Sequence, residues 1–183
     1  MKKTIIAAIA VSALCGNAWA GKNDIDLTNF NKYLQGEVQG AFSNLSQEAG
    51  LGLNFIPMAP AEPSGLTGFD FGVELTMLDI DEKALFWTRA VSGQNPPSFF
   101  PIPKIHLQKG LPLGLDIGAM YSYVPDSNIQ LLGAELKLAF VKGGTATPAL
   151  ALRASYSKLL GVPHLNFQTE RVDLSISKGI LIL

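Results

Sequence analysis

From Gly68 to Met77 the chain alternates without exception, with Phe69, Phe71, Val73, Leu75 and Met77 on one side and Gly68, Asp70, Gly72, Glu74 and Thr76 on the other. A period of two is the mark of a β-strand with one apolar face, and the pattern recurs. Between Pro112 and Tyr123, Leu113, Leu115, Ile117, Ala119, Tyr121 and Tyr123 stand against Asp116, Gly118 and Ser122. Between Gln130 and Val141, Leu132, Ala134, Leu136, Leu138 and Phe140 stand against Gly133, Glu135 and Lys137. Pro148–Ser157 opposes Leu150, Leu152, Ala154 and Tyr156 to Arg153 and three small residues, and Arg171–Ser177 opposes Val172, Leu174 and Ile176 to Arg171, Asp173 and two serines. A shorter stretch, Pro103–Lys109, opposes Ile105 and Leu107 to Lys104, His106 and Gln108. Turn chemistry separates these segments at Lys109–Pro112, Pro125–Asn128, Lys142–Thr145 and Leu160–His164. Strands joined by such short loops run antiparallel. The chain therefore reads as all-β, an antiparallel up-and-down meander. One long connection, Asp79 to Pro101, reads as a loop with a single helical turn.

Alternation alone does not say whether the apolar face meets a protein core or lipid. The strands run to about ten to twelve residues, the length a tilted strand needs to cross a bilayer. The other face carries glycine, serine and charges of both signs, which suits a filled barrel interior better than a solvated surface. Tyr121 and Tyr123 sit at a strand end, where membrane barrels place interfacial aromatics. The first twenty residues read as an export signal, with basic Lys2 and Lys3, an apolar stretch from Ile5 to Leu14, and cleavage after Ala18-Trp19-Ala20. Cleavage would remove Cys15, the one cysteine, and with it any disulfide or thiolate chemistry. These features together predict a transmembrane β-barrel in the outer membrane, with lipid outside. Its interior polar residues are Asp70, Glu74, His106, Asp116, Glu135, Lys137, Arg153, Arg171 and Asp173, expected to satisfy one another by pairing.

The remainder of the chain divides at about residue 65. Within 21–65, Leu27, Phe30, Leu34, Val38, Ala41, Phe42, Leu45 and Ala49 recur at three- and four-residue steps, which predicts an N-terminal amphipathic helix. Gly36 and Gly40 weaken it and Gly50 is the expected stop. The helix is expected to pack against the barrel or its rim. A proline-rich connector, Pro57 to Gly65, follows, and no strand ladder is expected to run through it. Residues 66–183 form the barrel.

Several stretches resemble a group of bacterial outer-membrane β-barrel proteins. They are Gly65–Glu74 with the proline run before it, Pro101–Lys104, Lys109–Pro112 with Gly114–Gly118, and Leu174–Gly179. The resemblance implies a barrel in the outer membrane and implies no activity and no catalytic residues. Membrane barrels usually close on a strand with a terminal aromatic. This chain ends on Ile180-Leu181-Ile182-Leu183, which reads as a strand just starting, so six strands and a stub are expected and the barrel reads as incomplete at its C-terminus.

Chemistry-bearing motifs are few. With 14 Lys+Arg against 15 Asp+Glu the chain is near neutral, which excludes a strongly basic nucleic-acid binder. No phosphate-cradling glycine loop and no G-x-S-x-G occurs, and His106 and His164 lack metal-ligand spacing, so neither cofactor nor metal is expected. The acidic stretch Asp79–Glu82 lacks the spacing of a calcium loop and reads as solvated. The expected partners are outer-membrane lipid and a small apolar or polar solute. The leading reading is a non-enzymatic barrel acting as a small pore, a conduit for hydrophobic molecules or a structural element. One alternative is a soluble periplasmic β-barrel binding an apolar ligand. A second is an outer-membrane lipid hydrolase built on His106 and an inward serine.

Overall fold

The computed structural model describes residues 21–32, 36–56, 58–144 and 146–179. The export signal and the terminal Ile180–Leu183 lie outside the described residues. Six strands form one antiparallel sheet in sequence order: β1 (Phe69–Asp79), β2 (Phe99–Gly110), β3 (Leu115–Tyr123), β4 (Gln130–Lys142), β5 (Ala149–Leu160) and β6 (Gln168–Ser177). The sheet curls into a half-barrel. Each consecutive pair is antiparallel, as short turns between period-two segments require. Only β1 and β6 lack a second neighbour among the described residues.

Local chemistry moved several boundaries. The segment beginning at Pro112 starts as a 3-10 turn, Pro112–Gly114, with Leu113 in the left-handed region at φ 66°, so β3 begins only at Leu115. β2 is longer than its alternation showed, because Pro101 and Pro103 sit inside it. They are tolerated there because they pair with Met77 and Leu75 of β1 and lie beyond Lys104–Gly110, the part of β2 that β3 pairs with. A bulge between Ala139 and Val141 shifts the register of β4 against β5.

The faces are sorted by chemistry. Phe69, Phe71, Val73, Leu75, Leu107, Leu136, Leu152, Val172 and Leu174 stand on the convex side, with Phe69 70% and Leu174 68% exposed. Lys104, His106, Gln108, Asp116, Glu135, Lys137, Arg153, Ser155 and Ser157 are buried on the concave side. Glycines make room for the longer of these. A Cβ at Gly72 would run into the His106 ring, and one at Gly118 into the Glu135 carboxylate.

The expected N-terminal helix is split. Leu27–Lys32 is a 3-10 turn and helix α1 spans Val38–Leu53, starting after Gly36 and continuing past Gly50 to stop at Asn54. Gly50 did not end it because the helix is still packed there; two residues on, Gly52 lies close against Leu78 and Ile102, whose side-chain ends would have to shift for a Cβ. Helix α2, Leu85–Ala90, supplies the helical turn of the long connection. Both helices and residues 21–32 cap one end of the half-barrel. Trp87 of α2 donates its indole N–H to Glu48 of α1 at 2.6 Å. The N-terminal segment is tied to the same end by Ile25, whose N–H and C=O are both met by the Asn128 side chain at 2.9 and 3.0 Å. There the Thr28 N–H donates to the Asp26 carboxylate, which holds that acid below its usual pKa.

Gly72→Val is expected to cost roughly 1–3 kcal/mol, since it forces His106 out of its place in a packed interior. A lower urea midpoint for loss of the folded, unheated gel band would show it, and an unchanged midpoint would mean that His106 is free to move.

Candidate functional site

The concave face is where charge and packing converge. Asp116, on β3, is fully buried and faces Lys137, on β4, directly across the ladder. Their Nζ and Oδ2 lie 2.8 Å apart. Gln108 of β2 donates to the same carboxylate at 3.3 Å. Arg153 of β5 and Glu135 of β4 make a longer charge contact, 3.7 Å from Nε to Oε2. Arg171 and Asp173 pair within β6 at 3.2 Å, two positions apart on one face as the strand period requires. His106 of β2 lies between two carboxylates of β1: Nε2 is 2.9 Å from Asp70 Oδ1, and Nδ1 is 3.1 Å from Glu74 Oε1. All nine interior residues named from the sequence thus lie on the concave side, Asp116–Lys137, Glu135–Arg153 and Asp173–Arg171 as opposite-charge pairs and His106 between Asp70 and Glu74.

The sequence reading did not anticipate what fills the concavity. Residues 54–56 and 58–64 lie in it in non-helical conformation, and several of their carbonyls are met by the sheet's buried donors. Lys104 Nζ reaches Asn54 O at 3.0 Å, and Lys137 Nζ reaches Pro60 O at 2.8 Å and Glu62 O at 2.9 Å. Arg153 Nη2 reaches Ala59 O at 2.7 Å. Ser155 and Ser157 donate to Phe55 O and Leu53 O, each at 3.1 Å. In the other direction, Ser64 gives its N–H and hydroxyl to Asp116, and Ala61 its N–H to Ser177 Oγ at 3.0 Å. The proline-rich connector is therefore a strap seated along the half-barrel. Ala61, 1% exposed, fits a notch of small residues made by Ala139, Ala149 and Ala151. Proline suits this role, since each one removes an N–H that the interior would otherwise have to satisfy. The signal in the sequence was the run of inward donors Lys104, Lys137, Arg153, Ser155 and Ser157, each of which meets a strap carbonyl or the last carbonyl of α1.

At the capped end, Leu45, Leu53, Leu78, Trp87, Phe100 and Ile102, with loop residues around them, enclose an apolar cavity of about 40 Å³. It is small beside the roughly 150 Å³ that an apolar cavity needs to take benzene.

His106 has both ring nitrogens turned to carboxylates, and no serine hydroxyl stands at hydrogen-bond distance from it among the described residues. Ser122, the inward serine of β3, instead donates to Pro103 O at 2.6 Å. His164, at φ 63° in the β5–β6 turn, is exposed. No group of three or more His, Cys, Asp or Glu residues arranged to hold a metal is found among the described residues. No family model, curated protein or solved structure matches the chain, so its role has to be read from this geometry.

Lys137→Met is expected to destabilise by about 3–5 kcal/mol, because it leaves Asp116 buried without its ion pair and strands two strap carbonyls. Lys142→Met, on the exposed end of β4, is expected to stay within about 0.5 kcal/mol. Urea midpoints of the two variants compare them directly, and equal midpoints would remove Lys137 from the strap's anchorage.

Proposed function

We propose that this chain is a wall of a bacterial outer-membrane β-barrel, non-enzymatic, whose lumen is stoppered by its own N-terminal strap. The observation that carries the reading is the inverted sorting of side chains. A contiguous apolar band covers the convex face while the concave face holds paired charges. An exposed apolar surface of that extent on a water-soluble protein would be an aggregation site. Against hydrocarbon it is the expected surface of a transmembrane barrel, with polar residues turned to the lumen. The polar concave face also weighs against a soluble barrel that holds an apolar ligand within its sheet. The partner is outer-membrane lipid, and the seated strap favours a narrow, closed conduit over an open pore.

The His106 contacts offer no nitrogen to activate a serine, which argues against the hydrolase.

Leu136, at the middle of β4 on the convex face, separates lipid from water. Leu136→Arg is expected to cost about 2–4 kcal/mol in a bilayer and to deplete the protein from the outer-membrane fraction. In a water-soluble protein the same exposed change stays within about 0.5 kcal/mol. Cell fractionation with a heat-modifiability gel reads the difference. Wild-type protein recovered in the soluble periplasm, with Leu136→Arg unchanged, would end the membrane reading.

A further inference from the structure

The two edges of the sheet carry an inference beyond the wall itself, and it rests on the membrane reading. Among the described residues, β1 and β6 have one neighbour each, and every second residue of either strand points its N–H and C=O away from it. Hydrocarbon cannot satisfy such groups, so a lipid-embedded sheet has to find strands for both edges. We propose that the partner is a second copy of this chain, with β6 of each copy pairing β1 of the other to close a twelve-stranded barrel.

The direction of the strands fits. In a six-stranded meander β1 and β6 run opposite ways, so a second β1 laid beside β6 continues the antiparallel order. A half-turn about the barrel axis makes both junctions at once, the closed two-fold arrangement most common among homo-oligomers. Twelve is an even count within the range of bacterial barrels. The lengths also match, 11 residues in β1 against 10 in β6.

The side chains fit as well. Keeping the apolar faces outward pairs even-numbered positions of β1 with odd-numbered positions of β6. Phe69, Phe71 and Val73 of one copy then run beside Val172, Leu174 and Ile176 of the other, all of them now exposed. On the concave side β1 carries Asp70 and Glu74, both in contact with His106, and β6 carries Arg171, paired with Asp173. Registers that give near-complete overlap bring Arg171 opposite or diagonal to Glu74, within cross-strand reach. Asp70 is the most exposed of the paired interior acids, with 48% of its side chain open. It lies on the edge that this pairing would cover.

The test uses the full chain with Cys15→Ser, so that no native thiol competes. Two differently tagged versions, one carrying Val73→Cys and the other Val172→Cys or Leu174→Cys, are co-expressed and oxidised in membranes. A disulfide-linked heterodimer is expected, at least tenfold above a control in which Leu136→Cys, on the inner strand β4, replaces Val73→Cys. The wild-type chain is expected to run as a dimer in detergent by light scattering. Cross-linking no better than the control would overturn the pairing. So would a disulfide formed only within a Val73→Cys/Val172→Cys double variant, which would mean that one chain closes on itself, and so would a monomer in detergent. A heat-shifted outer-membrane band without the heterodimer removes the dimer and leaves the membrane reading standing. A heterodimer recovered only from the soluble fraction removes the membrane reading and the lipid-closed barrel with it.

Discussion

Three buried cations hold this structure to its shape. Lys104, Lys137 and Arg153 stand on three strands of the concave face, and each reaches a backbone carbonyl of the segment from Asn54 to Glu62. A buried ammonium or guanidinium without partners is among the costliest groups a fold can contain. The wall therefore needs the strap, because its own acids leave these donors only partly met. The strap equally needs the wall, because an extended segment makes no hydrogen bonds of its own. Curl of the sheet, seating of the connector and position of the helical cap are coupled through these bonds.

The same arrangement divides the molecule into two kinds of interior. Along the strands the inside is polar and held by directional bonds. At the capped end it becomes apolar, with Phe30, Leu45, Trp87, Phe100, Met120 and Leu131 in one cluster. The change occurs where α1 gives way to the strap, with Phe55 buried close to the boundary and a Cβ at Gly133 set to touch it. Helix packing needs an apolar surface, whereas a seated backbone needs donors, and inner strands change their inward chemistry along their length to serve both. β2 does so within a few residues, from Phe100 and Ile102 to Lys104, His106 and Gln108.

Much of the wall was legible in the sequence because a strand's period is local. The alternation from Phe69 to Met77 assigns every side chain of β1 a face, and the turn residues give the order of the meander. The charged residues on the polar face could be named for the same reason, and Asp116 meets Lys137 because adjacent antiparallel strands bring them opposite. The strap was not legible, since its contacts join residues far apart in sequence and involve carbonyls, which carry no residue identity. The start of β3 was misplaced because Leu113 continues the apolar alternation while its backbone has already turned. The end of α1 was misplaced because Gly50 is a local stop signal, overridden by packing of the last helical turn against β1 and β2.

The course of the strap also couples the two ends of the half-barrel. Residues 21–32 and α1 lie at the end where β1 finishes, yet Ser64 bonds Asp116 near the end where β1 begins. The chain thus travels the height of the half-barrel on its inner side before turning back to become the wall. The eleven positions from Asn54 to Ser64 can reach at most about 40 Å, close to the length of one strand, so the segment has little slack. A segment this short ties the position of the helical cap to the seating of Ser64 on Asp116. Strap and wall therefore have to settle together, each supplying the hydrogen-bond partners that the other's buried groups need.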